Sequence, residues 1–252
     1  MLIVLSPAKS LDETPMKAMR SATQPVFRKE STELVEKLEK LSPARLRKLM
    51  DISPELANLN HERYQGWATS PVLKPAALMF DGEAYRGLDA GTLQRDDLRF
   101  AQRHLRILSG LYGVLRPLDL IAPHRLEMGT KLSMGRGKPD LYKFWGDRIT
   151  EQLNADLRKN ESQVLVNLAS AEYFRSVHAE QLDARVITPV FKEQSAKGLR
   201  MIMVYAKHQR GALTRWIIQH RLTEVEQIKQ YDGDGYRFEP QGSTGDEWLF
   251  VR

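Results

Sequence analysis

The chain has 252 residues, 42% of them apolar and 28% charged, with 16 Gly and 12 Pro; this supports a sizeable buried core and excludes collagen-like and low-complexity chains. It contains no Cys, which excludes disulfides, thiolate metal sites, iron–sulfur clusters and cysteine nucleophiles. The formal net charge of +6 is a first pointer toward anionic partners.

Taken in chain order, residues 2–5 read as a buried strand. That apolar run is too short for an export signal and lacks a basic start, and nowhere do about 18 apolar residues follow one another. A cytoplasmic protein with no membrane partner is expected. Leu34, Leu38 and Leu41 fall at helical spacing among Glu and Lys, predicting an amphipathic helix over 29–41. Ser42-Pro43 and Ser53-Pro54 each combine an N-cap with a proline at the first helical position, so helices should start there, the second running to about Trp67. Residues 76–80 resemble a strand ended by the Asp81-Gly82 turn. Leu98, Ala101, Leu105 and Leu108 share a helical register, predicting a helix over 96–108. Another helix is expected over 141–157. Residues 164–168 and 185–191 suit buried strands. Residues 199–205 read as a strand, 210–221 as a helix, and 236–238 and 248–251 as late strands. With no internal repeat and no long linker, residues 1–252 are expected to form one mixed α/β (α+β) domain: a central mixed sheet with surrounding helices.

Charge is unevenly distributed. Residues 99–148 carry ten basic and four acidic residues, and residues 195–222 carry six basic and none acidic. The remainder sums to −6. Such segregation is the electrostatic footprint expected of a nucleic-acid surface.

Three segments could carry chemistry. In residues 105–129 the helical pattern breaks at Ser109-Gly110 and passes through Tyr112 and Gly113 to Arg116-Pro117. Two glycines three apart suggest a tight hairpin between short helices whose N–H groups could meet phosphate oxygens, with Arg106, Arg116 and Arg125 beside it. In the second, Lys207 and Arg210, followed by Gly211 and Arg215, would lie near a helix start. The dipole disfavours cations there, which suggests an intervening anion. The third is Asn167-Leu168-Ala169-Ser170-Ala171-Glu172, polar residues at the carboxyl end of a buried strand, where ligands of α/β sheets usually bind. Ser6-Pro7-Ala8-Lys9 and Asp81-Gly82-Glu83-Ala84-Tyr85 have the same placement, so three strand ends could share one cleft. Glu83, Glu127 and Glu172 are candidate proton carriers, and Tyr85, Tyr112 and Tyr173 candidates for stacking or donation. No phosphate loop, dinucleotide fingerprint, paired-histidine metal motif or nucleophile elbow is present, so neither a metal nor a cofactor is expected.

Ser6-Pro7-Ala8-Lys9, Phe80 through Tyr85, Leu108 through Pro117, Arg125 through Gly129, Phe144-Trp145-Gly146, Asn167 through Ser170 and Lys207 through Gly211 occur in the order found in the YaaA family of bacterial peroxide-stress proteins, which the whole chain resembles. The resemblance implies a family-specific mixed α/β fold and a cytoplasmic role in the oxidative stress response, associated with limiting free intracellular iron. It also implies DNA binding through a basic cleft and a helix–hairpin–helix element, here placed at residues 105–116. The nucleic-acid contacts expected from both lines are Lys9, Arg106, Ser109, Gly110, Tyr112, Gly113, Arg116, Arg125, Lys207, Arg210 and Arg215. Binding should be largely sequence-independent and salt-dependent, and weakened by Arg116→Glu or Lys207→Glu. The alternative is an enzyme acting on a nucleotide or nucleobase in a polar cleft, with a small nucleotide-like ligand. Oligomeric state is left open.

Overall fold

In a computed structural model of the chain, which describes all residues except Arg136 and Lys197, the first strand becomes the centre of the molecule. The strands are β1 (Leu2–Leu5), β2 (Ser10–Leu11), β3 (Lys74–Pro75), β4 (Phe80–Asp81), β5 (Leu105–Ser109), β6 (Gly113–Leu115), β7 (Leu120–Ile121), β8 (Val164–Leu168), β9 (Arg185–Ser195), β10 (Gly198–Arg200), β11 (Arg237–Phe238) and β12 (Glu247–Val251). The helices are α1 (Arg28–Leu38), α2 (Pro43–Met50), α3 (Pro54–Gln65), α4 (Ala76–Met79), α5 (Glu83–Leu88), α6 (Arg95–His104), α7 (Leu141–Trp145), α8 (Arg148–Lys159), α9 (Ala171–Phe174) and α10 (Met203–His220).

Eight of these strands form one mixed sheet in the order β11-β12-β9-β8-β1-β5-β6, with β10 added to β9. The five inner strands, β12, β9, β8, β1 and β5, run parallel. Every residue of β1 is buried, as expected of a parallel strand covered on both faces. From β1 the chain proceeds to β5 on one side, then crosses to β8 and continues to β9 and β12 on the other. The strand order therefore reverses beside β1, and the crevice above the carboxyl ends of β1 and β8 is the topological switch point where α/β sheets place ligands.

Several expected elements change type. The helix predicted over 96–108 stops at His104, and Leu105–Ser109 is a strand buried throughout. An apolar run at helical spacing cannot be distinguished from a doubly buried strand by period alone. The following segment pairs back on it antiparallel, Ile107 with Leu115 and Ser109 with Gly113. The helix–hairpin–helix expected at residues 105–116 is thus a β-hairpin. Residues 76–79 are helical where a strand was expected. The strand expected over 199–205 ends at Arg200, and α10 begins at Met203. The helix over 141–157 is two, divided at Gly146, which has φ +51°. The Ser-Pro signals behave as read: Ser42 and Ser53 accept N-cap hydrogen bonds from Arg45 N (3.4 Å) and Leu56 N (3.3 Å). Among the described residues, no helix is long and apolar enough to cross a membrane.

Candidate functional site

Three strand-end motifs do meet. The Ser170 N–H donates to Ser6 Oγ at 2.8 Å, joining residues 164 positions apart, and the Tyr85 hydroxyl donates to the Ser6 carbonyl at 2.9 Å. Register explains the first contact, because Leu5 pairs with Leu168 and both strands end together.

Beyond Ser6 the chain delivers Lys9 to the floor of an open cleft of about 920 Å3. Lys9 Nζ lies 2.7 Å from Glu127 Oε2, and Arg125 Nη2 lies 3.0 Å from Glu127 Oε1. Glu127 is therefore held between two cations. Glu172 Oε1 accepts the Gly129 N–H at 2.9 Å, and the Tyr142 hydroxyl donates to the Glu172 carbonyl at 2.9 Å. A small recess next to the floor is bordered by Ser109, His124 and Tyr173. Burial, with Glu172 and Glu127 adding repulsion, pushes the Tyr173 phenol well up. His124 donates from Nδ1 to the Ala122 carbonyl at 2.9 Å, and burial pulls its pKa down to about 4, so the ring is neutral at physiological pH.

The opposite wall comes mostly from α1 and α2, a region that charge counting passed over, with Lys131 added from the basic block 99–148. Lys37 on α1, Arg45 and Lys48 on α2, and Lys131 in the loop after Gly129 line the cleft. All four are exposed and, among the described residues, make no ion pair. Helices α2 and α3 are joined by the three-residue turn Asp51–Ser53, which Asp51 enters at φ +50°. Met50 and Asp51, at the tip of this turn, also line the cleft. Two helices joined by a tight turn thus stand at residues 43–65, where α2 and the start of the turn line the cleft, whereas residues 105–116 form a β-hairpin. The paired Ser-Pro caps were the signal for the two helices. Residues 1–98 carry no net charge, which hid their cations.

The other expected contacts lie elsewhere. Arg106 is only 5% exposed at its side chain, and its Nε donates to Asp156 Oδ2 at 2.7 Å. Arg116 donates through Nε and Nη2 to Asp119 Oδ1 and through Nη2 to the Gln24 carbonyl. Tyr112 is buried; its hydroxyl accepts from Trp67 Nε1 and Ala122 N, and burial pushes its pKa up to about 12. Ser109 Oγ accepts the Tyr112 N–H. A Cβ on Gly110 would stand 2.3 Å from the Leu126 carbonyl oxygen, and Gly113, at φ +67°, is covered by Trp145. Both glycines therefore serve close packing, and the hairpin turns inward.

Glu83 opens α5, where the dipole favours it, and pairs with Arg86 at 2.6 Å outside the cleft. Lys207 and Arg210 sit well inside α10, so the helix-start argument for an anion between them does not apply. Arg215 Nη1 donates to the Leu88 and Asp89 carbonyls at the end of α5. Gly211 lies where α10 crosses α5: a Cβ there would be 1.7 Å from the Ala84 carbonyl oxygen. Of the expected residues, Lys9, Arg125, Glu127 and Glu172 share the cleft, with Ser109 in the adjoining recess.

Residues 1–242 match the family described as peroxide stress protein YaaA. The chain belongs to this family. Its curated relatives include a UPF0246 protein of Ralstonia nicotianae, 51% identical over 255 residues, covering 100% of this chain and 99% of the relative. A UPF0246 protein of Saccharophagus degradans is 50% identical over 256 residues, with the same coverage. One from Burkholderia mallei is 50% identical over 258 residues, covering 100% of this chain and 98% of the relative. Likeness over the whole length means that the YaaA family resemblance extends to both walls of the cleft, the α1–α2 side as well as the strand ends.

Proposed function

We propose that this YaaA-family protein binds DNA in the cleft at the carboxyl edge of its sheet, as part of the peroxide-stress response. One observation carries the reading: Lys37, Arg45, Lys48 and Lys131, exposed and without ion-pair partners among the described residues, line one open cleft. Ammonium and guanidinium groups not committed to carboxylates are free to exchange counterions for phosphates. The α2–α3 pair takes the place of the expected helix–hairpin–helix, with α2 and the start of the turn at the cleft. Contacts of this kind position a nucleic-acid backbone and read no base edges, so binding is largely sequence-independent. The association with limiting free intracellular iron, and the cytoplasmic setting, rest on the family resemblance alone.

The test is fluorescence anisotropy with a labelled duplex across a salt series. Four phosphate contacts give a log–log slope of about −3.6. The double variant Arg45→Glu, Lys48→Glu should lose more than tenfold in affinity at low salt and flatten the slope by about 2, with an unchanged melting temperature. Unchanged affinity in that folded variant rejects the reading.

A second reading, chemistry on a nucleotide-like ligand, is favoured by the convergence of Lys9, Glu127, Glu172 and Tyr173 at the switch point. The geometry supports it less well, because Glu127 is clamped by Lys9 and Arg125 and Glu172 holds the Gly129 amide.

A further inference from the structure

Ten large apolar side chains are exposed among the described residues, and five of them fall within one short stretch: Leu199, Met201, Met203, Val204 and Tyr205. The sheet register shows where this stretch stands. β9 pairs with β8 through Arg185, Val186 and Ile187, and Val166 opposes Ile187, so β8 ends level with Pro189. β9 nevertheless runs on to Ser195 before returning as β10. Its last six residues span about 20 Å at strand spacing. The β9–β10 arm therefore projects past the carboxyl edge of β8, the edge that also carries Ser6–Lys9 and the cleft.

Tyr205, in the first turn of α10, is 44% exposed. The Arg252 guanidinium lies over its ring at 5.1 Å and over the Tyr236 ring at 4.9 Å. Both Arg252 and the Tyr236 hydroxyl donate to the Glu193 carboxylate, so the stack is fixed to β9 from beneath. Tyr236 is buried, whereas Arg252 and Tyr205 are both exposed. Such an arrangement holds the ring in place before any ligand arrives and reduces the entropy lost on binding. Residues 195–222 contain six basic and no acidic residues, with Arg200 exposed within the apolar stretch and Lys207 exposed just after it; the nearby Glu193 carboxylate is committed to Arg252 and Tyr236.

We propose that the exposed face of Tyr205 is a stacking platform for an unpaired base of single-stranded nucleic acid, with Arg200 supplying a phosphate contact. The proposal rests on the nucleic-acid reading of the cleft and adds a second contact on the same sheet edge. A fixed aromatic face beside cations suits single strands, because every base has a face to stack and a duplex hides all but its terminal ones.

The experiment compares two probes with the protein at one salt concentration: a single-stranded 12-mer carrying 2-aminopurine, and a duplex of matched length with both ends closed by non-nucleotide ethylene glycol linkers. Tyr205→Ala should weaken single-strand binding roughly 5- to 150-fold and abolish the 2-aminopurine quenching, while duplex affinity stays within about twofold. Tyr205→Trp should retain both. Tyr205 is at the surface, and an unchanged melting temperature confirms that its variants fold. Single-strand affinity that is the same in Tyr205→Ala as in the unaltered protein overturns the platform and leaves the cleft reading standing. Equal losses on both probes also overturn it. If the unaltered protein binds neither probe, the cleft reading falls and the platform falls with it. Two other occupants have their own signatures, and either overturns the proposal when single-strand binding is unaffected. One is Tyr205-dependent pelleting with phosphatidylserine vesicles, which indicates a lipid surface. The other is a concentration-dependent dimer lost in Met203→Ser, which indicates a second copy of the chain.

Discussion

Around the β5–β6 hairpin the arginines are committed to carboxylates, the buried Arg106 to Asp156 and the half-exposed Arg116 to the buried Asp119, whereas along α1 and α2 Lys37, Arg45 and Lys48 stand in solvent without ion pairs among the described residues. Both regions are basic by composition, but their cations do opposite work. A buried guanidinium is stable only beside its carboxylate, so the pair becomes part of the core and offers nothing to a phosphate. An exposed ammonium contributes little to stability and is available to a polyanion. A basic block in a sequence becomes a binding surface only where its acids are directed elsewhere.

The largest effect expected from this contrast is on stability. Asp156→Ala leaves the Arg106 charge buried without its partner and should cost about 3–5 kcal/mol in urea unfolding. Lys48→Ala should stay within about 0.5 kcal/mol. A cost below about 1 kcal/mol for Asp156→Ala would break the comparison.

Acid should act on the inward-turned side too. His124 has a folded pKa of about 4 against an ordinary 6.5, so between these values the unfolded chain takes up a proton that the folded chain refuses. Stability from this group is complete above pH 6.5 and is lost as pH falls toward 4, by about 3 kcal/mol. Urea midpoints at pH 7, 5.5 and 4.5 should trace the decline, and His124→Gln should flatten it.

A smaller effect is expected in the second basic segment. Gly211→Ala drives a methyl into the Ala84 carbonyl where α10 crosses α5, at a cost of about 1–3 kcal/mol in thermal or urea unfolding. Full stability in that variant would show that the two helices can separate at this crossing.

The smallest effect sharpens the contrast most directly. Lys48→Ala should weaken duplex binding several-fold and reduce the salt slope by about 1, whereas Arg116→Ala should change affinity less than twofold at low salt. The reverse ranking would place the phosphate path at the β-hairpin.

Local sequence carried much of the fold. Ser42 and Ser53 marked two helix starts because a capping hydroxyl and a first-turn proline act within three residues. Val164–Leu168 was readable as a strand because a β-branched apolar run suits a strand covered on both faces. Leu105–Ser109 was not, since its leucines and isoleucine fit a helical face and a buried strand equally well until β1 provides the neighbour that decides. Of the cleft, Lys9 and Glu172 were recognised from motifs at strand ends, Arg125 as a cation beside the expected hairpin, and Glu127 as a candidate proton carrier. Lys37, Arg45 and Lys48 were not, because acids elsewhere in residues 1–98 cancel them in a segment count, and Lys131, although inside the basic block 99–148, carries no motif that sets it apart.

By itself, then, the sequence determined the element types that depend on nearby residues, the polar character of the strand ends, the absence of thiol chemistry and the total of positive charge. Tertiary structure alone decided which cation meets which carboxylate. Arg106 finds Asp156 across 50 residues and Ser6 finds Ser170 across 164, so no local period or cap encodes either contact. Burial then sets the outcome: once desolvated, a charge must be paired, and the cations left over at the surface are those that can meet a ligand.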